Sequence, residues 1–152
     1  MHLESTVLIH RKAEEVWRFL TGPFNLLKWD RGVAAVEVNE DTPPGVGFEF
    51  TTVGHPGAGP ERGRRSYRVT AVDAEAMDSR AELTSQTGNA RLVSSAEWYQ
   101  HVEDAPAGSR VTMSAEFRLR SCHFWLAPLL YLFGKRAHDK DLAHLKNVLE
   151  NA

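Results

Sequence analysis

Cysteine is nearly absent from this chain of 152 residues: Cys122 stands alone. No intrachain disulfide can form, so stability has to come from packing, and a reducing, cytoplasmic setting is the expectation. The first residues, Met1 to Thr6, lack the basic and then apolar order of a secretory leader. Long hydrophobic runs are missing too. Phe124 to Phe133 is about half of the roughly 20 residues needed to cross a bilayer, so no integral membrane segment is expected. Basic excess is also lacking: 18 Lys and Arg stand against 20 Asp and Glu, a formal charge of −2, which speaks against nucleic acid as a partner. Arginine greatly outnumbers lysine, a bias of GC-rich bacterial genomes.

Motifs of known chemistry are lacking as well. There is no Gly-x-Ser-x-Gly, no His-Glu-x-x-His and no cysteine pair, so hydrolase and zinc-protease signatures are excluded. The seven histidines are scattered without ligand spacing, and no metal site is expected. Gly57 to Gly63 looks superficially like a phosphate loop, but its spacing is wrong. It also precedes a strand, where phosphate binding needs a helix N-terminus. No cofactor is expected. With no repeat, low-complexity tract or linker, residues 1–152 read as one domain large enough to bury a core.

What is present is an order of periodicities. Leu3, Ser5, Val7 and Ile9 alternate with polar residues, as in a half-buried strand. Ala13, Val16, Trp17 and Leu20 then share one helical face, with Trp17 as the anchor in the core. Thr21-Gly22-Pro23 breaks that helix, and Phe24 to Trp29 forms a second short helical turn that ends at Asp30-Arg31-Gly32. From Val33 the period is two. Strands are predicted around Val36 and Val38, Phe48 and Phe50, Tyr67 to Ala71, Met77 to Ser85, Leu92 to Val102 and Arg110 to Leu119. Thr87-Gly88-Asn89 and Glu103 to Ser109 are the predicted connections. About seven strands with short turns should pair antiparallel. The last segment, from about Cys122 to Asn151, is helical in two halves. Leu126, Leu129, Leu130, Phe133 and Ala137 form one stripe; His138, Leu142, Leu145 and Leu149 form another, rotated from the first. Gly134 between them predicts a bend.

These residues carry a family resemblance. Ala13-Glu14-Glu15-Val16-Trp17-Arg18-Phe19-Leu20, Asn25-Leu26-Leu27-Lys28-Trp29, Tyr67-Arg68-Val69-Thr70, Ala96-Glu97-Trp98, Gly108-Ser109-Arg110-Val111-Thr112 and Leu142 to Glu150 follow in order over nearly the whole chain. The chain resembles the START-like superfamily, also called SRPBCC or helix-grip, and within it the polyketide cyclase/dehydrase and lipid-transport group. The resemblance implies an α+β fold: a seven-stranded antiparallel sheet wrapped around a long C-terminal helix, with two short helices after strand 1 and a cavity between sheet and helix. It also implies a hydrophobic small-molecule ligand such as a polyketide, lipid or polycyclic aromatic. Some members cyclise, aromatise or dehydrate; others only store, present or sequester, including self-resistance proteins of antibiotic producers.

Residue by residue, aromatic side chains are the strongest functional signal. Phe48, Phe50, Tyr67, Trp98, Met113 and Phe117 on strands, with Leu130, Phe133 and Ala137 on the helix, are the expected cavity lining. On the Trp98 strand, Ala96, Trp98 and Val102 should face inward and Glu97, Tyr99 and His101 outward, unless a bulge intervenes. Tyr67, His138 and Asp141 are the candidate proton-transfer groups. For His138 and Asp141, spaced i, i+3, a helix-face ion pair or a satisfied histidine is the plainer reading. Arg62, Arg64, Arg65 and Arg68 read as a solvated strand face that could otherwise attract an anion. Two segments are expected to flank the pocket entrance: Val53 to Gly63, and the apolar Phe124 to Leu130, whose surface something must cover. The pattern calls for no assembly beyond a monomer or weak dimer.

Overall fold

The computed structural model describes residues 1–55, 63–87 and 93–152, the side chains of residues 122 and 123 aside. The expected turn at Gly88-Asn89 and most of the Val53–Gly63 segment lie outside the described residues. The first strand, β1 (His2–Ile9), is followed by α1 (Ala13–Leu20), a 3-10 turn (Pro23–Asn25) and α2 (Leu26–Trp29). Six strands come next: β2 (Val33–Val38), β3 (Glu49–Gly54), β4 (Arg64–Asp73), β5 (Asp78–Thr87), β6 (Val93–Ala105) and β7 (Gly108–Leu119). A 3-10 segment, Ser121–Leu126, leads into the last helix, α3 (Ala127–Glu150). The seven strands form one sheet in the order β1-β7-β6-β5-β4-β3-β2. Every pairing is antiparallel, and this is the helix-grip fold.

The alternation predicted for β6 holds along its inner stretch. Its register against β7 shifts only between Val93 and Ser95. Beyond that point Ala96 and Val102 are buried while Glu97 is exposed. Tyr99 stacks on His101, and the Arg80 guanidinium lies 5.2 Å from the Tyr99 ring, so these three share the face away from Ala96 and Val102.

The core gathers where α1 and the last turns of α3 meet the sheet. Ile9, Val16, Val102, Val111, Leu142 and Leu145 are each at most 2% exposed, and Trp17 packs on this cluster from α1. Each such aliphatic side chain contributes about 1.5–3 kcal/mol by leaving water. Polar pins add direction. The Arg11 Nε donates to the Leu149 carbonyl at 2.9 Å, and the Lys146 Nζ donates to the Leu8 carbonyl at 2.6 Å. Further along, Asp139 accepts from the Ser5 hydroxyl and from Lys135, fixing α3 to β1. These hydrogen bonds hold the Asp139 carboxyl below its ordinary range, the Lys135 bond foremost.

Helix α3 runs through Gly134 without a break in its assignment. A Cβ there would stand 3.1 Å from the Leu3 Cδ1 of β1. The visible reason for a glycine mid-helix is thus a close approach of strand to helix.

Candidate functional site

Local alternation on β3, β4, β6 and β7 sets the site. One inward position on each of these strands is aromatic, Phe48 stands just before β3, and the register brings the rings into one row. Phe48 and Phe50 lie 6.2 Å apart, and Phe50 stacks on Tyr67 at 5.2 Å. Tyr67 meets Trp98 edge to face at 5.1 Å, and Trp98 meets Phe117 in the same way at 5.3 Å. Rings at these separations attract through offset or edge-to-face geometry, about 0.5–1.5 kcal/mol per pair beyond burial. Two open hollows lie near the row, on opposite faces of the sheet. One, of about 760 Å³, is lined by Phe117, Leu119, Phe124, Ala127, Pro128 and Tyr131 among others. The other, about 260 Å³, is mainly polar, lined by Glu37, Glu49, Thr51 and Ser66 on the face away from the rings, and lies outside the aromatic site.

Tyr67 has a second role. Its ring belongs to the row, but its hydroxyl meets a polar cluster of Thr52, Arg65 and Asp30. Burial, with only 8% of the residue exposed, raises the phenol above its ordinary pKa. Asp30 follows α2, and its Oδ1 accepts the Gly32 N–H at 2.9 Å. Burial also raises this carboxyl. Asp141 joins from α3, accepting the Arg31 backbone N–H. Burial first, and the Asp30 charge second, push it up to about 6. Two carboxyls from different elements thus share one partly dry environment, in which the second charge is harder to form than the first.

The expected pairing of His138 with Asp141 does not occur. No ion pair joins them among the described residues. Burial, and then Lys135, hold the His138 imidazole below its ordinary range, favouring its neutral form. Its Nδ1 is buried without a hydrogen-bond partner, so it is not the satisfied histidine of the plainer reading either. The reason is directional. Asp141 turns toward the end of α2, whereas the charges that act on His138 are Lys135 and Asp139 on its own helix.

Other expected lining residues divide. Met113 is buried in the core cluster near Val102 and Leu142, and Leu130 is half-buried. Phe133 is 59% exposed and Ala137 is exposed too. At 100° per residue they lie about 180° and about 140° around the helix from Leu142. The first stripe of α3 therefore turns away from the buried second stripe. The basic strand divides as well. Arg64 pairs with Glu37, and Arg68 with Glu49 and Glu82, as a solvated face would. Arg65 instead acts on Tyr67 and Asp30. Arg62 lies outside the described residues.

Asp30 is the member that sequence reasoning missed. It read only as the end of a helical turn, and no local spacing relates it to Asp141 or to Tyr67. Its raised neighbour has a measurable consequence. A carboxyl whose folded pKa exceeds the unfolded value opposes folding when it ionises. Stability from Asp141 is therefore highest below about pH 4, falls as pH rises to about 6, and stays reduced above that. Asp141→Asn is expected to raise the melting midpoint at pH 8, by an amount worth of order 1 kcal/mol after allowance for its partial exposure. At about pH 2.5, where the wild-type carboxyl is protonated in both states, the two melts should coincide. Equal melts at pH 8 would show that Asp141 ionises there without strain.

A model of the family described as polyketide cyclase / dehydrase and lipid transport matches residues 1–150. No curated protein sequence matches the chain. Solved structures do. The protein TTHA0849 of Thermus thermophilus superposes with a TM-score of 0.80 at 17% identity, covering 100% of this chain and 99% of that one. The Zhui aromatase/cyclase of a Streptomyces species gives 0.73 at 14% identity, covering 99% and 92%. Norcoclaurine synthase of Thalictrum flavum, in complex with dopamine and hydroxybenzaldehyde, gives 0.70 at 18% identity, covering 100% and 88%. At such identities these likenesses speak for the fold.

Proposed function

The chain belongs to the polyketide cyclase/dehydrase and lipid transport family, and from that premise we propose that it binds a hydrophobic small molecule with a flat, unsaturated body and one polar end. The observation that carries this reading is the position of Tyr67. Its ring continues the aromatic row from Phe50 to Trp98, while its hydroxyl opens onto Thr52, Arg65 and Asp30. A polycyclic or polyketide-like ligand would enter from the hollow beside Phe117 and Tyr131, lie along the rings and set its oxygens against that cluster. An acyl chain could use the same path but would gain less from ring stacking. Burying about 300 Å² of apolar ligand surface would supply roughly 7 kcal/mol before the losses of association are deducted. The polar cluster fixes which end goes in first.

A second reading has its own observation. Asp141, raised to about 6, can give or take a proton near neutral pH, as cyclisation or dehydration of a bound polyketide chain requires. In that case Asp141 acts as acid or base, and Tyr67 and Arg65 orient a ligand carbonyl. Both readings use one site. Native mass spectrometry of freshly purified protein tests the first. A co-purifying apolar molecule, released unchanged on denaturation, is the expected result. Recovery of a chemically altered molecule after incubation with the released one would favour the enzyme. A protein that is empty and takes up no aromatic compound from a panel would overturn both.

A further inference from the structure

The 3-10 segment and first turns of α3 carry an apolar surface that extends well past the ligand entrance at Phe124 and Tyr131. Phe124 is 72% exposed, Trp125 67%, Leu129 52% and Leu132 49%. Exposed clusters of this kind normally meet something. Tyr131 and Phe133 are exposed as well. Because 131, 132 and 133 are consecutive, at about 100° per residue they cover more than half the helix circumference. An apolar arc that wide suits the end of a helix dipping into a lipid interface.

Charge narrows the occupant. Between Glu116 and Asp139 stand Arg118, Arg120, Lys135 and Arg136 but not one of the chain's 20 acidic residues, although the whole chain carries −2. Lys135 is paired with Asp139, while Arg118 and Arg136 are exposed. Arg118 lies beside Phe124 at the larger hollow. Arg136 follows Leu132 by four residues, so the two share a face of the helix. A second copy of the chain would bring like charges together on this patch. An anionic surface would be attracted by them. No described helix is long and apolar enough to cross a membrane, so the attachment is peripheral.

We infer that residues 117–136 form a docking surface for an anionic lipid bilayer, with Phe124, Trp125, Leu129 and Leu132 entering the interface and Arg118 and Arg136 meeting the headgroups. Aromatic rings suit that depth, being apolar in body and polar at one edge. Docking does not depend on the cavity reading, and it would place the larger hollow at the lipid surface.

The test is flotation of the full chain with phosphatidylcholine vesicles containing about a third phosphatidylglycerol, against vesicles of phosphatidylcholine alone. The protein should float with the anionic vesicles, its tryptophan emission should shift to the blue, and added salt should weaken the association. The triple variant Trp125→Ser, Leu129→Ser, Leu132→Ser should partition at least tenfold less while its thermal melt stays close to wild type. Arg118→Glu with Arg136→Glu should lower partitioning by about tenfold or more. Absence of flotation, equal flotation of the triple variant, or equal binding to both vesicle types would overturn the inference. So would sedimentation showing a dimer that the triple variant abolishes, since the patch would then belong to a second copy.

Discussion

Gly108→Ala is expected to destabilise the protein by about 4 kcal/mol. Gly108 opens β7 at the hairpin from β6, opposite Ala105, and its φ is +147°. L side chains rarely adopt that backbone conformation. Space is worse than conformation. An added Cβ would stand 2.3 Å from the Ile9 carbonyl oxygen and 2.8 Å from the Arg11 amide nitrogen. These are backbone atoms at the end of β1, and they cannot swing aside as a side chain would. Moving them drags Ile9, which is 1% exposed, out of the core, and pulls Arg11 from the Leu149 carbonyl it holds. Chemical denaturation should show a lowered midpoint with an unchanged slope, and the melting temperature should drop by about 10 °C. A midpoint within experimental scatter of wild type would mean that β1 does not press on this hairpin.

Trp98→Ala is expected to cost about 3 kcal/mol of stability and to weaken ligand binding about a hundredfold. Trp98 is an inner link of the row. Its ring meets Tyr67 on one side and Phe117 on the other, so truncation removes two aromatic contacts at once and breaks the row. Trp98→Phe should recover most of the stability, because a smaller ring keeps an edge toward each neighbour. Tyr99→Ala is the matched control. Tyr99 lies next in sequence on the opposite face of β6, against His101 and Arg80, and its loss should leave binding unchanged. Equal effects of the two substitutions would mean that the inner face has no special part in ligand contact.

Much of the fold could be read from alternation. Leu3, Ser5 and Ile9 on β1, and Ala96 and Val102 on β6, are buried where a period of two puts them. That pattern reports burial directly, so it survives as long as no bulge shifts the register. The ring row was legible only as a set of residue types. Its continuity depends on pairings such as Phe50 with Tyr67 and Trp98 with Ala115, which no single strand encodes. The polar cluster was less legible still. Asp30 follows α2 and Asp141 lies on α3, and only the packing of α2 against α3 makes them neighbours. The helix stripes misled for a related reason. Phe133 and Ala137 are apolar, and apolar residues at helical spacing normally mark a buried face. Here the buried face belongs to Leu142, Leu145 and Leu149 alone, so the periodicity of the first half reported an exposed surface.

The central claim is that the inner face of the sheet receives a flat apolar ligand along its aromatic row. Calorimetric titration of wild type, Trp98→Ala and Tyr99→Ala with a hydroxylated polycyclic aromatic, repeated at several temperatures, tests it most directly. The account predicts saturable one-to-one binding with a negative heat-capacity change, the mark of apolar burial, lost in Trp98→Ala and kept in Tyr99→Ala. Binding that does not saturate, or that survives intact in Trp98→Ala, would contradict it.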